Sequence, residues 1–289
     1  MSSDSTEKLQ TEKLQKVLAR AGLGSRRQIE TWIQQGRVQV NRCTATLGDR
    51  VSITDNISVD KRKISPSILQ ASPRQVLCYH KPTGVVCTRH DPENRPTVFK
   101  RLPPPSQGRW ISIGRLDFNT AGLLLLTTDG ELAHRLMHPS YTIEREYAVR
   151  ILGEVDDAML KRLSEGVELD DGMARFKRIL DAGGTGINHW YHVILSEGRK
   201  HEVRRLWESQ GVKVSRLMRI RFGPILLPPA LLRGHHVELD SKGLRELLQI
   251  VDLKRQDPPT HSARQSPTQS PFKRRTPIKS PSFKKRKGG

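Results

Sequence analysis

The chain has 289 residues, 50 Lys and Arg against 30 Asp and Glu, a formal net charge of +20 and a pI near 10.4. That length supports about two domains with a real core. A balance this basic points to a polyanion, nucleic acid before an acidic membrane surface, and away from enzymes confined to cationic or neutral small molecules.

Apolar runs such as 123–126 fall far short of the ~20 residues a membrane helix needs, and residues 1–7 lack the layout of a signal peptide. The three cysteines, Cys43, Cys78 and Cys87, are odd in number and not closely paired. They indicate neither a disulfide framework nor a zinc site, so a reducing cytoplasm is the expected setting.

Residues 6–10 and 11–15 repeat the string Thr-Glu-Lys-Leu-Gln, and only the second copy leads into a periodic pattern. From Thr11 the pattern is helical, with Leu14, Val17, Leu18 and Ala21 on one face. Gly22 and Gly24 end that helix, and Ser25 with Gln28 predicts a capping box for the next. Ile29, Trp32 and Ile33 form its apolar face and Gly36 closes it. Short strands are expected at 37–41 and 49–52, giving a small α/β unit over 11–70, with a linker over 63–73.

Residues 75–253 form the second expected domain. Strand-like runs fall at 76–80, 110–116, 122–127, 146–152, 190–195 and 214–221, and helix-like runs at 130–137, 156–164, 203–210 and 243–251. No helix regularly follows each strand, so the fold class is α+β with a mixed, largely antiparallel sheet. From 254 to 289 there are eleven basic residues against Asp257 alone, half the excess charge of the chain, together with six prolines and no periodicity. This predicts a disordered basic tail, read either as a solvated end or as a nonspecific phosphate-binding arm.

In the first unit Arg26 and Arg27 lie in the first turn of the second helix, Arg37 sits just past its end, and Lys16 and Arg20 are one helical turn apart. Arginines at a helix N-terminus suit an anion, though a plain solvated face has the same spacing. The string Leu14-Gln-Lys-Val-Leu-Ala-Arg-Ala-Gly-Leu-Gly-Ser-Arg-Arg-Gln-Ile-Glu30, then Gly36-Arg-Val-Gln-Val-Asn41 and Leu47-Gly-Asp49, resembles the S4 domain, named for a small-subunit ribosomal protein. The resemblance implies docking onto structured RNA through Lys16, Arg20, Arg26, Arg27 and Arg37.

The second unit has no Gly-x₄-Gly-Lys-Ser/Thr loop, no Gly-x-Gly-x-x-Gly turn and no nucleophile elbow. The histidine groupings His134/His138, His189/His192 and His235/His236 lack Cys or acidic partners at metal-site spacing. Neither cofactor nor metal is expected. One segment stands out, Ile113-Gly-Arg-Leu-Asp-Phe-Asn-Thr-Ala-Gly-Leu-Leu-Leu-Leu-Thr-Thr-Asp-Gly130. A strand runs into Asp117, followed by a polar turn and an apolar strand. Asp117 is either a turn cap or a catalytic carboxylate, whereas Asp129 is placed to cap the helix that follows. Tyr147 alternates with Val149 and Ile151, as a core ring or a ring facing a site. Arg204 lies beside the apolar face of Val203, Leu206 and Trp207, exposed or partly buried.

Gly114-Arg-Leu-Asp-Phe-Asn-Thr-Ala-Gly-Leu-Leu124 onward resembles the signature of pseudouridine synthases of the RsuA/RluB type. His80-Lys-Pro-Thr-Gly84, Asn94-Arg-Pro-Thr-Val-Phe99, His138-Pro-Ser-Tyr141, Glu144-Arg-Glu-Tyr-Ala-Val149 and Glu197-Gly-Arg-Lys-His-Glu-Val-Arg-Arg205 agree in order. Ile187-Asn-His-Trp-Tyr191 and Glu202-Val-Arg-Arg-Leu-Trp207 look most like the B-type members acting on large-subunit (23S) rRNA. The resemblance implies isomerisation of a uridine in a structured stem-loop of ribosomal RNA by a monomer, with no membrane and no small-molecule cofactor.

By the same resemblance Asp117 is the catalytic carboxylate, Arg204 its cationic partner, Tyr147 the ring stacked on the flipped uridine, and Arg115 a group near the vacated base position. The family's Gln is Glu202 here, an acid placed to compete for Arg204. Arg199, Lys200 and Arg205 fall on the expected phosphate-facing side of the cleft. The competing readings are a small-subunit (16S) rRNA synthase and a noncatalytic RNA-binding ribosome-assembly protein. A metal-dependent nuclease is the most distant.

Overall fold

A computed structural model describes residues 11–69, 73–185 and 188–254. The first copy of the N-terminal repeat and the expected tail beyond Lys254 lie outside the described residues. Strand β1 (Glu12–Lys13) pairs antiparallel with β4 (Arg50–Val51), so helix α1 (Leu14–Arg20) begins later than its periodicity alone suggests. Helix α2 (Arg26–Gln34) carries the expected capping box: the Ser25 side chain accepts from the Gln28 amide at 3.1 Å, and the Gln28 side chain accepts from Ser25 N. A four-stranded sheet follows, in the order β3 (Cys43–Thr44), β2 (Val38–Val40), β5 (Ile57–Val59), β6 (Arg62–Lys63).

The expected linker is partly structured. It holds β6 and a short helix α3 (Pro66–Leu69), whose Leu69 is buried with Leu14, Leu18, Ile29 and Val38 in the core of this part. Pro66 stands at the first helical position, where a missing N–H costs nothing. A composition read as linker thus hides a closing element.

The larger part is built on a nine-stranded mixed sheet. Its path runs β13 (Arg178–Thr185), β14 (Asn188–Leu195), β10 (Arg145–Leu152), β15 (Lys213–Phe222), β9 (Ala121–Thr127), β7 (Val76–Lys81), β17 (His236–Glu238). Strands β8 (Ile111–Ile113) and β16 (Ile225–Leu226) attach to β9 and β15. Every pairing is antiparallel except β9 with β15, which meet only through Ala121↔Met218 and Gly122↔Arg219. The sheet is therefore two antiparallel halves joined by a short parallel seam.

Strand β9 is buried along its whole length, as a central strand covered on both faces must be. Leu123 and Leu125 face one core with α4 (Gly130–Met137) and α7 (Ser241–Gln249), while Leu124 and Leu126 face another with Leu77, Tyr79 and Trp110. Helices α5 (Asp157–Glu165) and α6 (Glu202–Glu208) cover the far half around Trp207, Tyr191 and Phe176. The hairpin β11 (Val167–Leu169) and β12 (Gly172–Ala174), with β13 and β17, has no counterpart among the expected strands. Asp129 caps α4 as expected, accepting from the amides of Glu131 and Leu132.

Candidate active site

The turn 114–120 between β8 and β9, strands β10 and β15, and the segment 195–203 line one cleft of about 1040 Å³. That is room for a nucleotide and part of its flanking backbone. Asp117 and Tyr147, two of the residues singled out in the sequence, both line it, as do Arg115, Arg199 and Lys200.

The turn that carries Asp117 is held from below. Lys81 ends β7 fully buried, and its Nζ donates to the carbonyl oxygens of Pro82 at 3.0 Å, Asp117 at 2.9 Å and Thr120 at 2.9 Å. Burial pushes the Lys81 ammonium below its ordinary pKa, opposed by the nearby Cys87 and Asp117. Three carbonyls converging on one ammonium fix the backbone of the turn, closed also by the Thr120 amide donating to Asp117 O at 3.0 Å. The Asp117 carboxylate stays 38% exposed toward the cleft.

The basic side chain that meets Asp117 is not the expected one. His201 places Nε2 3.3 Å from Asp117 Oδ1. His201 has φ of 54° at the start of α6, a left-handed backbone that turns its ring toward the turn. Arg204 instead donates Nη1 to Val214 O at 2.9 Å and Nη2 to Asn119 O at 3.1 Å. Among the described residues no ion pair joins Asp117 to Arg204. Arg204 sits two positions along α6 from Glu202, and its guanidinium reaches the backbone of the turn rather than the carboxylate.

Glu202 competes for neither group. It is 4% exposed, and its Oε2 accepts from the Arg199 amide at 3.0 Å. Burial raises its carboxyl above the usual range.

Tyr147 packs between two cores, among Val149 and Leu195 on one side and Tyr79 and Leu124 on the other. Its register partner on β15 is Arg219. Arg219 is 2% exposed, donates Nε to Leu123 O at 2.8 Å, lies over the Phe222 ring at 5.3 Å and has its Nη2 buried without an acceptor. Arg145, also lining the cleft, spans the carbonyls of Ile143, Ser196 and Glu197 at 3.0–3.1 Å.

Sequence reasoning missed Lys81, His201 and Arg145 as site residues, and placed Arg219 only among the basic residues of 199–221 on the phosphate-facing side of the cleft, not buried beside Tyr147. A signal existed for Lys81, a lysine closing an otherwise apolar strand. For Arg219 the strand 213–222 has basic residues on both faces, so nothing in the pattern singles one out.

Several expected RNA contacts are committed within the fold. Lys16 and Arg20 both pair with Glu12, and Arg20 also donates to Leu69 O at 3.2 Å. Burial pushes Glu12 up, but the hydrogen bonds from Lys16 and Arg20 outweigh it and leave Glu12 below its ordinary value. Arg37 forks onto Asp60 at 2.6 and 2.7 Å. Arg205 forks onto Asp171 at 2.7 and 2.8 Å, and Arg199 reaches Glu197 and the β11–β12 hairpin. Arg26, Arg27, Arg115 and Lys200 are exposed and make no ion pair among the described residues. No three His, Cys, Asp or Glu among the described residues gather as a metal site would.

Comparison with known proteins adds family information. The family model for RNA pseudouridylate synthase matches residues 75–209, and that for the S4 domain matches residues 12–57. The chain is 59% identical over 245 residues to the ribosomal large subunit pseudouridine synthase B of Escherichia coli O6:H1, covering 84% of each. It is 58% identical over 244 residues to the protein of the same name from Pseudomonas aeruginosa, across 84% of this chain and 63% of that longer relative. A solved structure described as a pseudouridylate synthase aligns with a TM-score of 0.57 and 28% identity, over 81% of this chain and 99% of the other.

Proposed function

Because the chain belongs to the RNA pseudouridylate synthase family and carries an S4 domain ahead of the catalytic part, we propose that it isomerises a specific uridine of large-subunit (23S) ribosomal RNA to pseudouridine during ribosome biogenesis. This reading assigns 11–70 to RNA docking, 75–253 to catalysis and 254–289 to a basic tail, in a monomer of the bacterial cytoplasm. No helix of the described residues is long and apolar enough to cross a membrane.

The reaction breaks the bond from uracil N1 to the ribose, turns the ring, and joins C5 to the same sugar carbon. The proton lost at C5 is balanced by one gained at N1, so nothing is consumed. Asp117 is the catalytic carboxylate, attacking as a nucleophile or accepting a proton as a base. Tyr147 stacks on the flipped uracil, a task suited to a partly buried ring that also lines the cleft. Arg204 is a positioning residue that steadies the turn through Asn119 O, and Arg115 faces the base position. Arg26, Arg27 and Lys200 supply phosphate contacts. Lys16, Arg20, Arg37, Arg199 and Arg205 contribute only the positive field left by their internal pairs.

The observation that supports this reading best is that Asp117, on the turn before β9, and Tyr147, on β10, line one cleft with Arg115, Arg145 and Arg219. Replacing Asp117→Asn should abolish pseudouridine formation in 23S rRNA while RNA affinity stays within a few-fold. Base-resolution pseudouridine mapping with a parallel binding assay checks both. Full activity in that variant removes Asp117 from the chemistry. A site lost from small-subunit rRNA instead moves the substrate there.

A further inference from the structure

The S4 part and the catalytic part meet where backbone touches backbone. A Cβ on Gly22 would stand 2.8 Å from Gly108 O, and one on Gly108 would stand 2.7 Å from Arg20 O. Only glycine permits that approach on each side. Gln107 adds a 2.7 Å hydrogen bond from its side-chain amide to Ile68 O.

Three arginines converge beside this junction. Arg109 follows Gly108 directly. Arg89 donates Nη2 to Trp110 O and lies over Phe99 at 4.3 Å. Arg26, in the first turn of α2, brings Nη2 to within 3.9 Å of the point where a Gly130 side chain would begin, and Ile111 Cδ1 lies 3.6 Å from the same point. Arg26 belongs to the S4 part, and Arg89 and Arg109 to the catalytic part.

The molecule does not neutralise this cluster. Neither Arg26 nor Arg109 pairs with an acid among the described residues, and Arg109 Nε is buried with no acceptor. Neighbouring acids are engaged elsewhere: Asp129 with Arg74 and the first amides of α4, Asp91 and Glu93 with Arg95. Burial depresses the Arg109 pKa, and the charges of Arg89 and Arg26 depress it further. Gathering like charges at a partly desolvated seam costs stability unless an anion joins them.

We propose that Arg26, Arg89 and Arg109 form a seat for a backbone phosphate of the bound RNA, shared between the S4 part and the catalytic part. Guanidinium forks from two sides match the oxygens of one phosphodiester. Because one phosphate is held from both parts, the seat fixes the register of the RNA between docking surface and cleft. The proposal rests on the RNA-directed function above and adds the place where the backbone is gripped.

The test uses the full chain and a fluorescently labelled transcript of the large-subunit rRNA, with anisotropy titrations across a range of salt. Arg26→Gln, Arg109→Gln and the double variant are compared. Each single variant should weaken binding several-fold and flatten the slope of log affinity against log salt by about 0.7–0.9, the share of one phosphate. The double variant should lose little more than either single one, because both arginines serve the same phosphate. Unchanged affinity and slope in both single variants overturn the seat. Fully additive losses overturn its shared character. If Arg109→Gln fails to fold, Arg89→Gln takes its place in the comparison with Arg26→Gln, since a loss in Arg26→Gln alone shows a phosphate contact but not a shared one. Absence of pseudouridine after treatment of the same transcript with the unaltered chain counts against the function and leaves the binding result standing.

Discussion

Glu202 sits almost wholly buried at the start of α6, with Oε2 on the Arg199 amide and Oε1 facing no donor. Burial, the largest influence, pushes its carboxyl above the ordinary 4.5; the Arg199 hydrogen bond opposes this and Glu197 reinforces it. A carboxyl raised on folding gives its full stability below the unfolded value and loses it as pH rises through the folded one. Glu202→Gln should therefore melt above the parent at pH 7 and close to it near pH 4. Each tenfold gain in proton affinity on folding corresponds to about 1.4 kcal/mol, worth about 3–5 °C in a chain of this size. Thermal melts at the two pH values check this, and an equal gap at both would remove the ionisation account. At this scale Asp117 and Tyr147 were legible through the family pattern. The destination of Arg204 was not, because it depends on where the 117–120 backbone presents Asn119 O, which no residue type announces.

At the scale of elements, the seam between β9 and β15 depends on Gly122. A Cβ there would overlap the Arg219 backbone, and its φ of +106° is one that other residues adopt only under strain. Gly122→Ala should cost about 1–3 kcal/mol by overpacking alone and should lower turnover as well, since Arg219 is the register partner of Tyr147. A melt matching the parent's would remove the close-approach account. The apolar central strands and the capped helices α2 and α4 could be read from the chain, because periodicity and Ser25, Gln28 and Asp129 act locally. Strand β13 could not, since Arg178-Ile-Leu-Asp-Ala-Gly-Gly-Thr185 carries charges and glycines on a sheet edge where neither face is deeply buried. Helix α3 was masked by Pro66 and its serine neighbours, residues that suit a linker and a helix start equally.

For the whole molecule the charge of +20 separates into portions with different duties. Lys16, Arg20, Arg37, Arg205 and Arg221 spend much of theirs on Glu12, Asp60, Asp171, Glu144 and Glu146. Residues 254–289 hold eleven basic residues against one acid. Deleting them should weaken rRNA binding and flatten its salt dependence without changing which uridine is modified. Titrations across salt, together with mapping, check this, and an unchanged slope would assign the tail no part in binding. The composition announced a polyanion, but which cations are free to meet one depended on pairings such as Arg37 with Asp60, made by residues distant in the chain. The parallel seam also orders events in time. The chain leaves β9 at Thr127 and returns to it only with β15 at Lys213, so closing this joint carries a larger loop-entropy cost than closing the hairpins on either side. Asp117 belongs to the earlier half, and Arg219 to β15, the strand that closes the seam. A chain still emerging from the ribosome therefore has no complete cleft until β15 is made.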